Sequence, residues 1–295
     1  MMIPDAGAKQ DEGGDEALVP GDDTGAPPPG PPWDTPLEES ALAFLDLEFT
    51  GLDAQAHHIC ELAIRRVRGG AIEGELSSLV RPASRVEASA RIHGLTDDTL
   101  ADAPPLSSLA VRVAALLDGA VLVGHGLAAD VAFLRAAAAR GELAPPPAFA
   151  LDTLVLARRA LCLPSYRLGA LATALVLPAP THRALGDVVT TEALFARLAS
   201  ELRAPTPRAL WQVRAGETRA SMRDDIREAL ARAATTTGHA RVRYRVPRRA
   251  AIEDILAIRE LTPPHVEGRL LRLRATRRLR GDRILWAEVA ERPTP

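Results

Sequence analysis

The chain has 295 residues, 47% of them hydrophobic and 25% charged, with a net charge of −2. At roughly 150 residues per domain this is about two domains of ordinary globular composition. No apolar run approaches the ~20 residues of a bilayer crossing, the acidic N-terminus argues against a secretory leader, and two cysteines (Cys60, Cys162) make neither a disulfide framework nor a zinc site. The expected setting is therefore reduced, cytoplasmic and free of membrane.

The near-zero charge hides a gradient. Residues 1–40 hold ten acids and one base, Lys9, for −9; residues 41–202 hold fourteen Arg and seventeen acids, for −3; residues 203–295 hold twenty-one Arg and eleven acids, for +10. Lys9 is the only lysine, so a single arginine says little, but the gradient stands.

In chain order, residues 1–39 are rich in Pro, Gly, Asp and Glu, and Ala26-Pro27-Pro28-Pro29-Gly30-Pro31-Pro32 fits neither helix nor central strand. A disordered acidic tail is predicted. Ala43 to Phe49 is a mostly apolar run ended by Thr50-Gly51, as in a buried strand. Ile59 to Val67 and Ile72 to Val80 read as strands joined by a Gly69-Gly70 turn. Helical spacing runs from Leu106 to Leu117, then a short strand from Ala120 to Val123, a helix from Ala128 to Arg140 closed by Gly141, and a strand from Phe149 to Asp152. Leu154 to Ala160, Leu168 to Leu175 and Asp187 to Leu202 read as helices. Antiparallel strands followed by alternating strands and helices predict an α/β domain over residues 40–203, a mixed sheet flanked by helices.

Ala204-Pro205-Thr206-Pro207 marks a predicted boundary. Beyond it the pattern predicts a helix from Ser221 to Ala234, a strand from Arg241 to Val246, and a hairpin of Leu270 to Leu273 with Ile284 to Val289. This is a small basic α+β domain over residues 204–295. Six arginines between Arg272 and Arg283 crowd the predicted hairpin, which could follow a phosphate backbone or simply be a solvated sheet face. The layout around Arg241-Val242-Arg243-Tyr244-Arg245 resembles the WYL-type domain of bacterial regulators, without its tryptophan-tyrosine-leucine signature.

The chemistry centres on acids. Asp46 and Glu48 lie two apart in a predicted strand, so both carboxylates point to one face. Side by side they repel, and a cation is needed to keep both charged. Hard oxygen ligands favour Mg²⁺ or Mn²⁺ over zinc. Asp130 falls in the first turn of a helix that follows the strand-and-glycine segment Val123-Gly124-His125-Gly126. His182 sits in a loop five residues before Asp187, near the start of another helix.

In this order Asp46-Leu47-Glu48-Phe49-Thr50-Gly51-Leu52, Gly124 to Leu134 and His182 to Asp187 resemble the three motifs of the DnaQ-like (DEDDh) 3′–5′ exonucleases. Ile59-Cys60-Glu61-Leu62-Ala63, Ile92-His93-Gly94-Leu95-Thr96, Leu151-Asp152-Thr153-Leu154 and Tyr166-Arg167-Leu168 resemble supporting segments. The resemblance implies a ribonuclease H-like fold with a mixed five-stranded sheet. It implies Asp46, Glu48, Asp130 and Asp187 as ligands of two Mg²⁺ or Mn²⁺ ions, and His182 as general base. It also implies that Thr50, Gly51, Leu52, Ile92 and His93 contact the substrate. Glu61 reads as a structural acid behind the site, Asp152 as a helix N-cap, His125 as structural, and His57 and His58 as solvent-facing. Two positions depart from the family pattern: Gly126 stands where members usually carry Asn, and Ala129 where many carry Phe, which would leave smaller packing.

The expected activity is metal-dependent release of nucleoside 5′-monophosphates from single-stranded 3′ ends of DNA or RNA. The chain shows no polymerase or helicase portion, which leaves room for a polymerase or repair partner. Two alternatives stay open: a non-catalytic nucleic-acid or nucleotide-sensing module, and an oligoribonuclease-like RNA trimmer.

Overall fold

The computed structural model describes residues 25–86, 93–213, 221–246 and 249–291. Strands β1 (Leu42–Phe49), β2 (Ile59–Arg68) and β3 (Ala71–Leu79) form an antiparallel meander. β4 (Val121–Gly124) and β5 (Ala150–Asp152) add in parallel on the other side of β1, giving the order β3-β2-β1-β4-β5. β1 is central and covered on both faces, which is why it reads as a nearly continuous apolar run. Leu42 and Phe44 face one core with Val123, Leu151, Phe195 and Leu198. Ala43, Leu45 and Leu47 face a second core with Leu122, Phe133 and Leu134.

After the short α1 (Asp97–Leu100), the predicted helix from Leu106 begins as a 3₁₀ turn and becomes α2 (Ala110–Leu117). α3 (Ala128–Ala139) packs on the second core; α4 (Thr153–Ala160), α5 (Leu168–Leu175) and α6 (Ala184–Leu202) pack on the first. α6 starts three residues before the predicted Asp187. The amide of Ala184 donates to the buried Glu61 carboxylate at 3.2 Å, a partner no local sequence pattern reveals.

The predicted tail is corrected in part. Residues 1–24 lie outside the described residues, but residues 25–39 pack against the body. Trp33, the one aromatic of that stretch, is buried, with its ring 6.3 Å from Phe149. Arg208 donates to the carbonyls of Pro27 (2.8 Å) and Pro28 (2.7 Å) and pairs with Asp34. A proline run makes no secondary structure of its own, so burial of one large ring and capture of its carbonyls order it.

The boundary at 204–207 also shifts. Pro207 opens α7 (Pro207–Val213), as proline can in a first helical turn, and Ala209 and Leu210 join the first core. The second unit consists of α8 (Asp224–Thr236) on an antiparallel sheet of order β10-β6-β7-β8-β9. Its strands are β6 (His239–Tyr244), β7 (Ile252–Thr262), β8 (His265–Leu270), β9 (Ala275–Arg280) and β10 (Ile284–Val289). The predicted hairpin is therefore wrong. Residues 271–274 form the turn between β8 and β9, and β10 pairs with β6. β7 escaped sequence reading because Asp254 points inward and breaks its alternation.

The two units are packed together. Leu285 and Trp286 of β10 belong to the first core, and the Arg203 guanidinium lies 3.7 Å over the Trp286 ring. Buried Arg223 donates from Nη1 to the carbonyls of Leu202 (3.0 Å) and Leu285 (2.8 Å). No helix among the described residues is long and apolar enough to cross a membrane.

Candidate active site

β4 ends at Gly124, so its pairing with β1 stops at Phe44 opposite Val123. Beyond that point, among the described residues, no strand pairs with β1 on this side. Asp130, in the first turn of α3, fills the gap: its Oδ1 accepts the Leu47 amide at 3.1 Å. Its carboxylate is thereby held between the positions of Asp46 and Glu48. Phe49 stacks on Phe133, 3.9 Å between ring centroids, and fastens the same helix to the end of the strand.

Asp46 and Glu48 share the face that carries Leu42 and Phe44 lower down, as strand alternation requires. Glu48 lies directly across the ladder from Glu61 of β2. Glu61 in turn docks the start of α6. Arg183 donates to it from Nε (3.0 and 3.2 Å) and Nη2 (2.9 Å), and Ala184 from its amide. One turn later comes Asp187, whose Oδ1 accepts the amides of Thr181 (2.8 Å) and His182 (3.1 Å). These contacts fold the loop over the helix start and hold His182 in a left-handed conformation (φ 54°) with its side chain exposed.

The electrostatics tie the acids together. Burial pushes the Asp46 carboxyl well above its usual range, and Asp130, Asp187, Glu48 and Glu61 push it further. Glu48 is raised to about 8, by burial first and then by Asp187 and Glu61. Asp130 is also raised to about 8, chiefly by burial, against the backbone hydrogen bonds that stabilise its anion. Arg183 opposes the rise at Glu48, but it is bound to Glu61. The cleft is thus an anionic pocket whose charge is poorly compensated, the environment a hard cation would relieve. Among the described residues no three His, Cys, Asp or Glu side chains converge tightly enough to cage an ion in this conformation. The acids are within electrostatic reach of one another, and their donor set is all oxygen, which fits Mg²⁺ or Mn²⁺ in kind.

The predicted substrate contacts divide. Leu52 is 83% exposed at the rim. Thr50 instead faces inward: its amide donates to His58 O (2.9 Å), and its hydroxyl accepts the His58 amide (3.0 Å) and meets Ser84 Oγ at 2.8 Å. Gly51 lies against His57, whose ring atoms would stand 2.5 Å from a Cβ there. His93 is buried. The Leu95 amide donates to its Nδ1 (3.1 Å), so Nε2 carries the proton and donates to Phe49 O at 3.2 Å. This bond ties His93 to the end of β1. Ile92 lies outside the described residues. His57 and His58 are partly buried, and His58 Nδ1 bonds Ser84 Oγ at 2.8 Å, correcting their expected solvent exposure.

Asp152 behaves as the predicted cap. It accepts the Leu154 amide (2.8 Å) and also the amides of Gly126 (2.9 Å) and Leu127 (3.0 Å), fixing the turn after β4. His125 bonds Thr153 Oγ1 (2.9 Å) and Tyr166 O (3.0 Å) and is structural. Gly126 sits at φ 72°, a conformation asparagine also tolerates. Ala129 is exposed, so the missing aromatic costs no core packing, contrary to expectation. Arg183 went unrecognised in the sequence. The signal was an Arg next to the motif histidine, opposite a buried acid on β2.

The architecture is that of the ribonuclease H-like exonucleases, a mixed five-stranded sheet with acids gathered where the central strand outruns its parallel neighbour. The RNase T exonuclease family model matches residues 43–195, about half of the chain, and the chain belongs to that family. A DNA polymerase III subunit epsilon-like protein of Rhodobacter capsulatus is 34% identical over 182 residues, covering 58% of this chain and 25% of its own length. DNA polymerase III PolC-type of Thermotoga maritima is 30% identical over 166 residues, 56% of this chain and 12% of its own. The chain thus spans a quarter or less of the length of these two relatives. The zinc-bound E. coli exonuclease I–single-stranded DNA complex superposes with a TM-score of 0.52 at 17% identity, over 78% of this chain and 54% of that one, a likeness of fold.

Proposed function

We propose that this chain is a metal-dependent 3′–5′ exonuclease of the DEDDh type, releasing nucleoside 5′-monophosphates from single-stranded 3′ ends. The observation that carries the reading is the pocket in which burial and neighbouring carboxylates, Asp187 among them, raise the proton affinity of Asp46, Glu48 and Asp130 with little cationic compensation. In this reading those four carboxylates hold two Mg²⁺ or Mn²⁺ ions. Bound there, such ions supply Lewis acidity and offset the charge that builds on the phosphoryl oxygens.

The remaining roles fall to the chain itself. Leu52 packs against the terminal base from the rim. His182 swings in from its exposed position and accepts the proton of the attacking water. Oxygen attacks phosphorus, the bond to the 3′ oxygen breaks, and that oxygen takes up a proton as the shortened strand leaves. Glu61 and Arg183 hold the loop that carries His182. The relatives support the class of reaction, and the choice of DNA, RNA or a polymerase partner belongs to this reading.

The test is a 5′-labelled oligonucleotide incubated with the chain, with and without Mg²⁺ or Mn²⁺. DNA, RNA and dinucleotide substrates are run side by side. Stepwise shortening from the 3′ end, abolished by EDTA, is expected. The looseness of the carboxylate group favours one rival, a binding module on a nuclease scaffold. Tight binding without any metal-dependent cleavage would establish that rival.

A further inference from the structure

We infer that the β8–β9 hairpin of the second unit is a phosphate-gripping surface for single-stranded nucleic acid. The identity of the strand as substrate rests on the nuclease reading above; the binding surface itself does not.

Between His265 and Arg280 the chain carries Arg269, Arg272, Arg274, Arg277, Arg278 and Arg280 against a single acid, Glu267. Arg280 pairs with Asp282, and Glu267 lies 3.6 Å from Arg259. The other five hairpin arginines are exposed and form no ion pair among the described residues. On β2, by contrast, three neighbouring arginines, Arg65, Arg66 and Arg68, all bind glutamates. Unpaired guanidinium groups gathered on one hairpin repel one another, and they suit an anionic partner.

The tip is also built to hold its shape. Asp254 of β7 is buried, and its two oxygens accept the amides of Arg272 (2.8 Å) and Leu273 (3.0 Å). Arg274 then turns through a left-handed conformation (φ 55°). A buried carboxylate is thus committed to fixing a turn that presents Arg272, half-exposed Leu273 and Arg274. Beside it lies a shallow hollow whose lining includes Arg241, Glu253, Ile255 and Leu271. Edge strands do carry charge to block stray pairing, and β9 is an edge. That function needs charges on the strand and does not account for a stapled turn carrying two more.

Charge balance selects the occupant. Residues 41–202 carry −3, and their cleft gathers four carboxylates, so the first unit repels a polyanion. The attraction must come from the +10 of residues 203–295, whose sheet is packed on the first unit through Arg223 and Trp286. No aromatic side chain stands at the tip, so the contact is with phosphates, with Leu273 offering one apolar touch to a sugar or base.

The experiment measures binding of a fluorescein-labelled 20-mer single strand to the full chain in EDTA, where no cleavage is required. Arg272→Ala/Arg274→Ala should weaken binding about tenfold and reduce the steepness of the log–log salt dependence by about 1 to 1.5, two phosphate contacts' worth. Arg272→Lys/Arg274→Lys should recover most of the affinity, because a phosphate contact of this kind needs charge. Binding unchanged by the alanine pair overturns the proposal, as does failure of the lysine pair to recover it. A wild-type chain with no affinity for the strand overturns it too, and points to an acidic protein as occupant. A chain that binds through the tip yet never cleaves with metal removes the nuclease reading and leaves this surface standing.

Discussion

Glu61 and Glu48 face each other across the β1–β2 ladder, and of the two, among the described residues, Glu61 alone is ion-paired, with Arg183 at 2.9 Å. The pairing makes Glu61 the hinge pin between the strand of the first motif and the helix of the third. Glu61→Gln keeps an acceptor for the Ala184 amide but cannot neutralise Arg183. Cleavage should fall about tenfold in kcat with little change in KM, because the loop bearing His182 loosens while the rim is intact. Glu61→Ala leaves that amide without its acceptor and should also cost about 1–3 kcal/mol. The half-exposed Arg183 can turn to water, and loss of repulsion on Glu48 offsets part of the cost. Steady-state kinetics and thermal melts read both.

Asp130 serves two purposes that substitution can separate. Asp130→Asn still accepts the Leu47 amide, so the fold should hold, while a carboxylate is lost from the cleft. Metal-dependent cleavage should drop by roughly two orders of magnitude or more, with a circular dichroism spectrum like wild type. Asp46→Ala and His182→Ala should fall as far; His182→Ala is the cleaner of the two, because its exposed ring supports no packing. Wild-type activity in Asp130→Asn would show the site to be misassigned.

The raised carboxyls make stability depend on pH in an unusual direction. In the unfolded chain these acids release protons near pH 4; in the metal-free fold Glu48 and Asp130 keep theirs until about 8. The native state therefore binds more protons between those limits, and unfolding free energy decreases as pH rises through the window. Without divalent ions the melting temperature should fall from pH 5 to pH 8. Added Mg²⁺ or Mn²⁺ should restore more at pH 8 than at pH 5, since the ion replaces the lost protons. Differential scanning fluorimetry across pH, with and without metal, checks this.

Arg223 bridges the units from a buried position, bonding two carbonyls and pairing with Asp225 at 2.6 Å. Arg223→Ala strands both carbonyls and should destabilise the chain by about 2–4 kcal/mol. Thermal melts of the variant and of wild type check this.

Much of the site was legible in the residues because it obeys local rules. Strand alternation alone places Asp46 and Glu48 on one face, and the spacing of strand, glycine turn and helix places Asp130 in a first turn. Asp152 was recognisable as a cap from its position before Thr153. Thr50 and His93 have surroundings that the sequence left unread, for a shared reason. A polar side chain in a motif reads as available to a ligand, yet each has its hydrogen bonds completed by partners far along the chain, at His58 and Ser84 or at Phe49.

Periodicity, motifs and charge in the linear chain determined the α/β class, the positions of the first five strands along the chain, the family likeness and the basic character of the C-terminal third. Those properties depend on neighbours within a few residues, where backbone geometry leaves few choices. The packing of residues 25–39, the continuation of the first core into α7, the true partners of β10 and the stapling of the arginine tip by Asp254 were decided only by tertiary structure. Each depends on one side chain meeting a backbone group or a core far away in sequence, and no local pattern specifies which distant group completes a buried ring or carboxylate.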